Sequence, residues 1–264
     1  MPLKPCHIRL REKKPVSNPE RRGFTLTELL VVIAIMGILS VISLPSLKNL
    51  KGASDFTRAA NSLVDTINLA RSYAMANNTY VFLGLVEVDR TQSPLATPQS
   101  AGTGRLVVAV VASKDGTSGY DPNNTSTWGS NYNAGSNLAL VYKPQIFDFT
   151  HIASSFPTTT TGNMARPSQN VSNVGGDAST FAETPFSLPL GAALSAGQYN
   201  FTTVISFNSQ GTPTAGGQSL QWIEIDLQPM NGGTVPAVPT NANQGNQAAI
   251  LVDGSSGVAR LYRP

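Results

Sequence analysis

Glu28 is the only charged side chain between Phe24 and Leu47, a span of 24 residues. A carboxylate in such a run costs about 2.5–3.5 kcal/mol at the centre of a membrane helix on insertion scales, and less near the interface. It therefore calls for a partner. A cut after Gly23 would create one, the free α-amine of Phe24, one helical turn away. Between neighbouring helices, the carboxylate of one chain could neutralise the amine of another and fix their axial stagger. The plainer reading of Glu28 is an interfacial acid whose carboxylate snorkels to water.

The other reactive residue types are sparse. His151 stands alone in a polar stretch and reads as a solvated loop histidine. Glu224-x-Asp226 alternates with Ile223 and Ile225, so both carboxylates are expected to face solvent on one side of a strand. The pair lacks the run of oxygen ligands of a calcium loop. Asp115-Gly116 and Asp253-Gly254 are turn formers, and Asp121-Pro122-Asn123-Asn124 reads as a loop before it reads as an ion site. Tyr120, Trp128 and Tyr132 lie in a Gly/Asn/Ser-rich stretch suited to adaptable contacts. No serine carries a nucleophile signature and there is no P-loop. The inventory predicts no enzyme, no metal and no cofactor.

Charge separates the elements that must position these groups. Residues 1–23 hold seven Lys/Arg against two acids, a balance of +5, and the remaining residues hold 11 Lys/Arg against 13 Asp/Glu, or −2. The basic pI near 9.1 is thus a property of the first segment. Cys6, the single cysteine, lies there too, so a chain starting at Phe24 has no thiol and no disulfide. In a secretory signal the apolar stretch precedes the cleavage site; here the basic segment runs straight to Gly23 and the apolar run follows. Cleavage after Gly23 would leave that run on the product, and 24 residues at about 1.5 Å each suffice to cross a core of roughly 30 Å. The basic flank predicts a cytoplasmic leader and an exported bulk.

Beyond Pro45, a predicted kink, and Gly52, the pattern turns amphipathic. Phe56, Ala60, Leu63, Ile67, Ala70 and Ala74 recur at three- and four-residue spacing, interleaved with Asp55, Arg58, Asp65 and Arg71. Asn77-Asn78 is the expected stop. Strands are predicted at Thr79–Val88, Arg105–Ala112, Leu138–Phe147, Asn200–Asn208, Ser219–Leu227 and Ala248–Tyr262, the last broken by a hairpin turn at 253–257. The connection 148–198 is too long to be structureless and is expected to hold short elements of its own.

Arg22-Gly23-Phe24-Thr25-Leu26-Thr27-Glu28, followed by an apolar helix, resembles the N-terminus of type IV prepilins and type II secretion pseudopilins. The resemblance implies cleavage after Gly23 by a membrane prepilin peptidase, N-methylation of Phe24 by the same enzyme and a docking role for Glu28. It also fits Pro45, about 22 residues into the mature helix. Two further strings, Leu69-Ala70-Arg71-Ser72-Tyr73-Ala74-Met75-Ala76-Asn77-Asn78 before a strand, and Phe207-x-x-x-Gly211 followed by Ile250–Val252 and Gly257-x-x-Arg260, are similar to the GspH/FimT class of minor pseudopilins. Val258 departs from the Gly-Arg-x-Arg closing segment common there, and the two long loops exceed the usual class pattern.

The implied fold is α+β, pilin-like. A long N-terminal helix, membrane-spanning and then amphipathic, packs on an antiparallel β head. The expected organisation is a leader at 1–23, a transmembrane and filament-core helix at 24–47, an amphipathic helix at 48–78 and a head at 79–264 with long loops 113–137 and 148–198. The implied role is a structural subunit of a type II secretion pseudopilus or type IV pilus-like filament. It would be anchored by a single pass in the bacterial inner membrane, with the head outside the cytoplasm. Its partners would be the peptidase, inner-membrane lipid, other pilins or pseudopilins and, indirectly, an assembly ATPase and platform. The alternative is a DNA-binding minor pilin for DNA uptake, which would rest on Arg260 and Arg263, with Lys143 and Arg166.

Overall fold

A computed structural model describes residues 24–116, 137–158, 162–181, 186–190, 196–230, 234–241 and 245–264, with only the backbone at 41–53 and 178–179. The chain divides into two units, Met1–Leu47 and Lys48–Pro264. Helix α1 (Leu26–Asn77) contributes to both.

In the first unit the apolar side chains of α1 are exposed round the whole helix, from Leu26 at 79% and Leu29 at 60% to Ile38 at 64%. The hydroxyl of Ser40 donates back to the carbonyl of Met36 at 2.7 Å, so this polar group needs no outside partner. Among the described residues no helix is long and apolar enough to cross a membrane. The side chains of the second half of the apolar run, Pro45 among them, lie outside that description.

In the second unit the buried face of α1 is the one its periodicity predicts. Phe56, Ala60, Leu63, Ile67, Ala70 and Ala74 are all at most 1% exposed, while Asp55, Arg58 and Asp65 face out. The helix stops where Asn78 takes a left-handed φ of 48° and the Thr79 amide donates to the Ala74 carbonyl at 3.1 Å. That is the six-to-one closure of a Schellman cap.

Two sheets flank this helix face. The first runs β3-β2-β1-β8-β9, from β1 (Val81–Asp89), β2 (Gly104–Ser113), β3 (Leu138–Asp148), β8 (Thr203–Phe207) and β9 (Pro213–Thr214). The second runs β12-β11-β10-β4, from β4 (Thr150–Ala153), β10 (Trp222–Pro229), β11 (Ala248–Asp253) and β12 (Ala259–Tyr262). The short β5 (Val171–Asn173) lies parallel to β10. Phe149 alone joins β3 to β4, and so one sheet to the other. Its φ of 61° supplies the turn and the Arg90 guanidinium sits 4.0 Å from its ring centroid. Leu83, Leu85, Val108, Ile205, Ile223, Ile225 and Ile250 meet the helix face in one core.

The long connection holds β4, β5, a short helix α2 (Ala178–Phe181) and β6 (Phe186–Leu188), and it covers the outer faces of both sheets. β6 and β7 (Tyr199–Phe201) form a two-stranded ribbon over the first sheet. The rings of Phe186 and Phe201 stack with centroids 4.8 Å apart. They rest on Gly84, where a Cβ would lie 2.5 Å from Phe186 Cζ and 2.7 Å from Phe201 Cβ. Gly84→Ala should therefore destabilise the head by about 1–3 kcal/mol through overpacking, read as a lower denaturant midpoint with unchanged slope. This two-sided burial explains why β2, Gly-Arg-Leu-Val-Val-Ala-Val-Val-Ala-Ser, is buried at nine of its ten positions and reads as a near-continuous apolar run.

Candidate assembly site and the buried charges of the head

Thr25 is the N-cap of α1. Its carbonyl accepts the first helical bond, from Leu29 N at 3.2 Å, and its hydroxyl accepts the Glu28 amide at 3.2 Å. Glu28 reaches back in turn: its Oε2 accepts the Thr25 amide at 2.9 Å and the Thr25 hydroxyl at 2.9 Å. This is a capping box, with two orphan helix-end donors satisfied reciprocally. A carboxylate at this end also meets the positive pole of the helix. Reading Glu28 as a group in search of a partner thus missed a local one, whose sequence signal was Thr25-x-x-Glu28. Phe24, just upstream, is 83% exposed. Gly23 lies outside the described residues.

The head's carboxylates sit differently from their expected positions. Ile223 and Ile225 do point into the core, and Glu224 and Asp226 do share the opposite face of β10, but that face is roofed. Glu224 is 2% and Asp226 0% exposed. The roof is the segment after β4, which contributes Phe156, Met164 and Arg166. Arg166, a candidate surface cation from sequence, is buried here. Its Nε donates to Glu224 Oε2 at 2.7 Å and its Nη2 to Oε1 at 3.1 Å, a bidentate pair. Burial works against the guanidinium charge, but the hydrogen bond and charge of Glu224 outweigh it and hold its pKa above the ordinary value. Asp226 Oδ2 accepts the Phe156 amide at 2.7 Å and Asn173 Nδ2 at 2.9 Å. Burial first, and the neighbouring Glu224 charge second, push the Asp226 carboxyl up to about 8. The cluster therefore sets two carboxyls against one buried guanidinium, and burial favours the protonated form of Asp226. A third outward residue of β10, Gln228, donates to the Pro236 carbonyl at 3.0 Å. Two carboxyls sharing a proton could serve acid–base chemistry. With both shut away from solvent, what they do here is bind the roof to the sheet.

His151 is not a solvated loop residue either. It lies on β4, and its Nδ1 is 2.9 Å from both Glu87 oxygens. Glu87, on β1, also accepts the amides of Gly104 at 2.6 Å and Ile152 at 3.3 Å. This constellation bridges the two sheets, and nothing in the local sequence around either residue announced it. Asp121, Tyr120, Trp128 and Tyr132 fall outside the described residues, as do 117–136 as a whole.

The cations of the nucleic-acid reading do not gather. Lys143 is exposed on β3 and Arg260 on β12, in different sheets. Arg263 is turned to α1, donating to Thr57 Oγ1 at 3.1 Å and lying 5.4 Å over the Phe56 ring. By contrast, the strings at 69–74, 207–211 and 257–260 converge. Arg71 Nε donates to the Ser256 carbonyl at 2.5 Å. Gly211 and Gly257 both take positive φ, 79° and 70°, and approach so closely that a Cβ on Gly257 would lie 2.1 Å from the Gly211 carbonyl oxygen. Glycine is required at this contact because the backbones themselves touch.

Residues 19–44 match the sequence profile described as the prokaryotic N-terminal methylation motif. No curated protein and no solved structure matches the chain. The matched segment is a type IV pilin-like prepilin signal, and it supports a pilin-like or pseudopilin structural subunit processed by prepilin peptidase. The α+β architecture of the head is compatible with that class.

Proposed function

We propose that the chain is a minor pseudopilin of the GspH/FimT class, an inner-membrane-anchored subunit of a type II secretion or type IV pilus-like filament. The observation that carries this reading is the methylation motif at 19–44 laid on a helix whose apolar side chains are exposed on every side. Such a surface needs either lipid or neighbouring helices. In this reading residues 1–23 are a cytoplasmic leader cut after Gly23, Phe24 is N-methylated, and residues 24–47 cross the bilayer. They then move into a filament core, where Glu28 pairs with the amine of a docking subunit. Residues 48–78 and the head lie outside the cytoplasm and make the contacts that set the subunit's place in the filament. An assembly ATPase and platform supply the work.

Processing gives the direct test. Gly23→Leu should leave full-length precursor in the membrane fraction, detected by immunoblot and intact mass. Mature product of normal size from that variant would overturn the reading. The DNA-uptake alternative draws no support from a gathered basic surface, since its exposed cations lie in different sheets and Arg166 is buried.

A further inference from the structure

We infer that the roof over β10 is a proton-held latch: while Asp226 keeps its proton, Phe156, Met164 and Arg166 stay closed on the sheet, and its loss lets them open with both sheets still folded. Geometry alone favours a proton there. Glu224 and Asp226 share one face of β10 and are 2% and 0% exposed. The Arg166 guanidinium gives both its bonds to the sheet to Glu224. Asp226 Oδ2 has two donors, the Phe156 amide and Asn173 Nδ2. Its Oδ1 is buried with no hydrogen-bond partner among the described residues. An ionised Asp226 would thus set a second negative charge beside Glu224 with one oxygen unsolvated. Burial, and then the Glu224 charge, push this carboxyl up to about 8. The other titratable groups nearby do not relieve it. Tyr262 of β12 stands beside Arg166, Asp177 accepts the Asn173 amide at 3.0 Å, and His151 of β4 is turned to Glu87.

The way the roof is attached makes its opening local. Its stretches 154–158 and 162–170 lie between β4 and β5, and both strands pair with β10, at Asp226–Pro229 and at Trp222–Glu224. Neither ladder runs through the roof, so it can lift between them. From Phe156 and Arg166 it makes three hydrogen bonds to the carboxyls of β10. The other Arg166 bonds, to the carbonyls of Phe156, Pro157 and Met164, stay within the roof. Phe156 and Met164 pack with Ala153 and Ala249 in a small cluster apart from the main core. A segment with so few ties opens at a lower free energy than the whole head. In the open state Asp226 titrates as an ordinary aspartate, near roughly 3.9. The closed state therefore holds the extra proton between about 4 and 8. Opening grows as pH rises across that window and levels off above it. It uncovers Phe156, Met164 and the apolar residues beneath them.

The test is peroxide oxidation of Met164, followed by peptide mass spectrometry on the purified full-length chain in detergent. Met164 is 0% exposed and is reached through opening, whereas Met75, 38% exposed, reports the reagent in the same molecule. The Met164 rate relative to Met75 should rise by up to about tenfold per pH unit between pH 5 and 7 and flatten above pH 8. Asp226→Asn should hold it slow and independent of pH. Urea separates local from global opening. Below the unfolding transition the Met164 rate should barely change with urea, because a lifted roof exposes little surface. A wild-type rate independent of pH, a pH slope retained in Asp226→Asn, or a urea dependence as steep as global unfolding overturns the inference. Should Asp226→Asn fail to fold, the wild-type pH and urea series decide the matter.

Discussion

Arg166→Met will destabilise the head by about 3–5 kcal/mol, because it leaves the Glu224 carboxylate buried without its counter-charge. The same cluster makes stability depend on pH through Asp226. Its folded carboxyl titrates near 8, whereas an unfolded aspartate titrates near 3.9. Between those values the native state holds one more proton than the unfolded state, so stability falls as pH rises. The contribution is fully present below the unfolded value and is lost through the folded one, with a slope of up to about 1.4 kcal/mol per pH unit from this group. Other titratable groups face the site: Glu224 on the same strand, Arg166 from the roof and, beside Arg166, Tyr262 from β12. None of them removes the sign. Asp226→Asn mimics the protonated acid in shape and can still accept from the Phe156 amide. It should flatten the profile between pH 4 and 8 and should exceed the wild type in stability above pH 8. Urea unfolding across that range reads both effects. A wild-type slope retained in Asp226→Asn would show that the proton resides elsewhere.

The cluster also marks where sequence reading stops. Alternation placed Ile223 and Ile225 on one face of β10 and Glu224 and Asp226 on the other, and that geometry is what the strand adopts. Solvent was the wrong inference for the second face. What covers it arrives from Phe156 and Arg166, 58 to 70 residues away along the chain, in a stretch with no periodicity to reveal a roof. His151 and Glu87 are 64 residues apart and were illegible for the same reason. The helix face from Phe56 to Ala74, the Asn78 stop and the hairpin at 253–257 were legible because each is specified within one or two turns of chain. The length of the 148–198 connection was itself a signal: a segment that long in a compact head needed something to cover. Thr25 falls on the other side of the line. Its spacing to Glu28 is a purely local capping signature, legible in Thr25-x-x-Glu28 itself.

The capping box sharpens the test of Glu28. Glu28→Ala removes two things at once, the capping box and the charge, so loss of assembly in that variant has two explanations. Glu28→Gln separates them, because a glutamine oxygen can still accept the Thr25 amide while carrying no charge. If the carboxylate docks against the amine of another subunit in a water-poor filament core, Glu28→Gln leaves that amine unpaired. The penalty should resemble the insertion cost of a lone charge, about 2.5–3.5 kcal/mol, or roughly a hundredfold in association. Both variants should then be processed to mature subunit but fail to co-purify with filament partners after mild cross-linking of native membranes. If capping is the whole role, Glu28→Gln should co-purify as the wild type does and only Glu28→Ala should be defective. Within the chain two bonds of 2.9 Å run from Oε2 to the Thr25 amide and its hydroxyl. They hold the carboxylate at the helix start, one residue from the Phe24 nitrogen. From there it can meet an amine in its own chain or in a neighbour without giving up the cap.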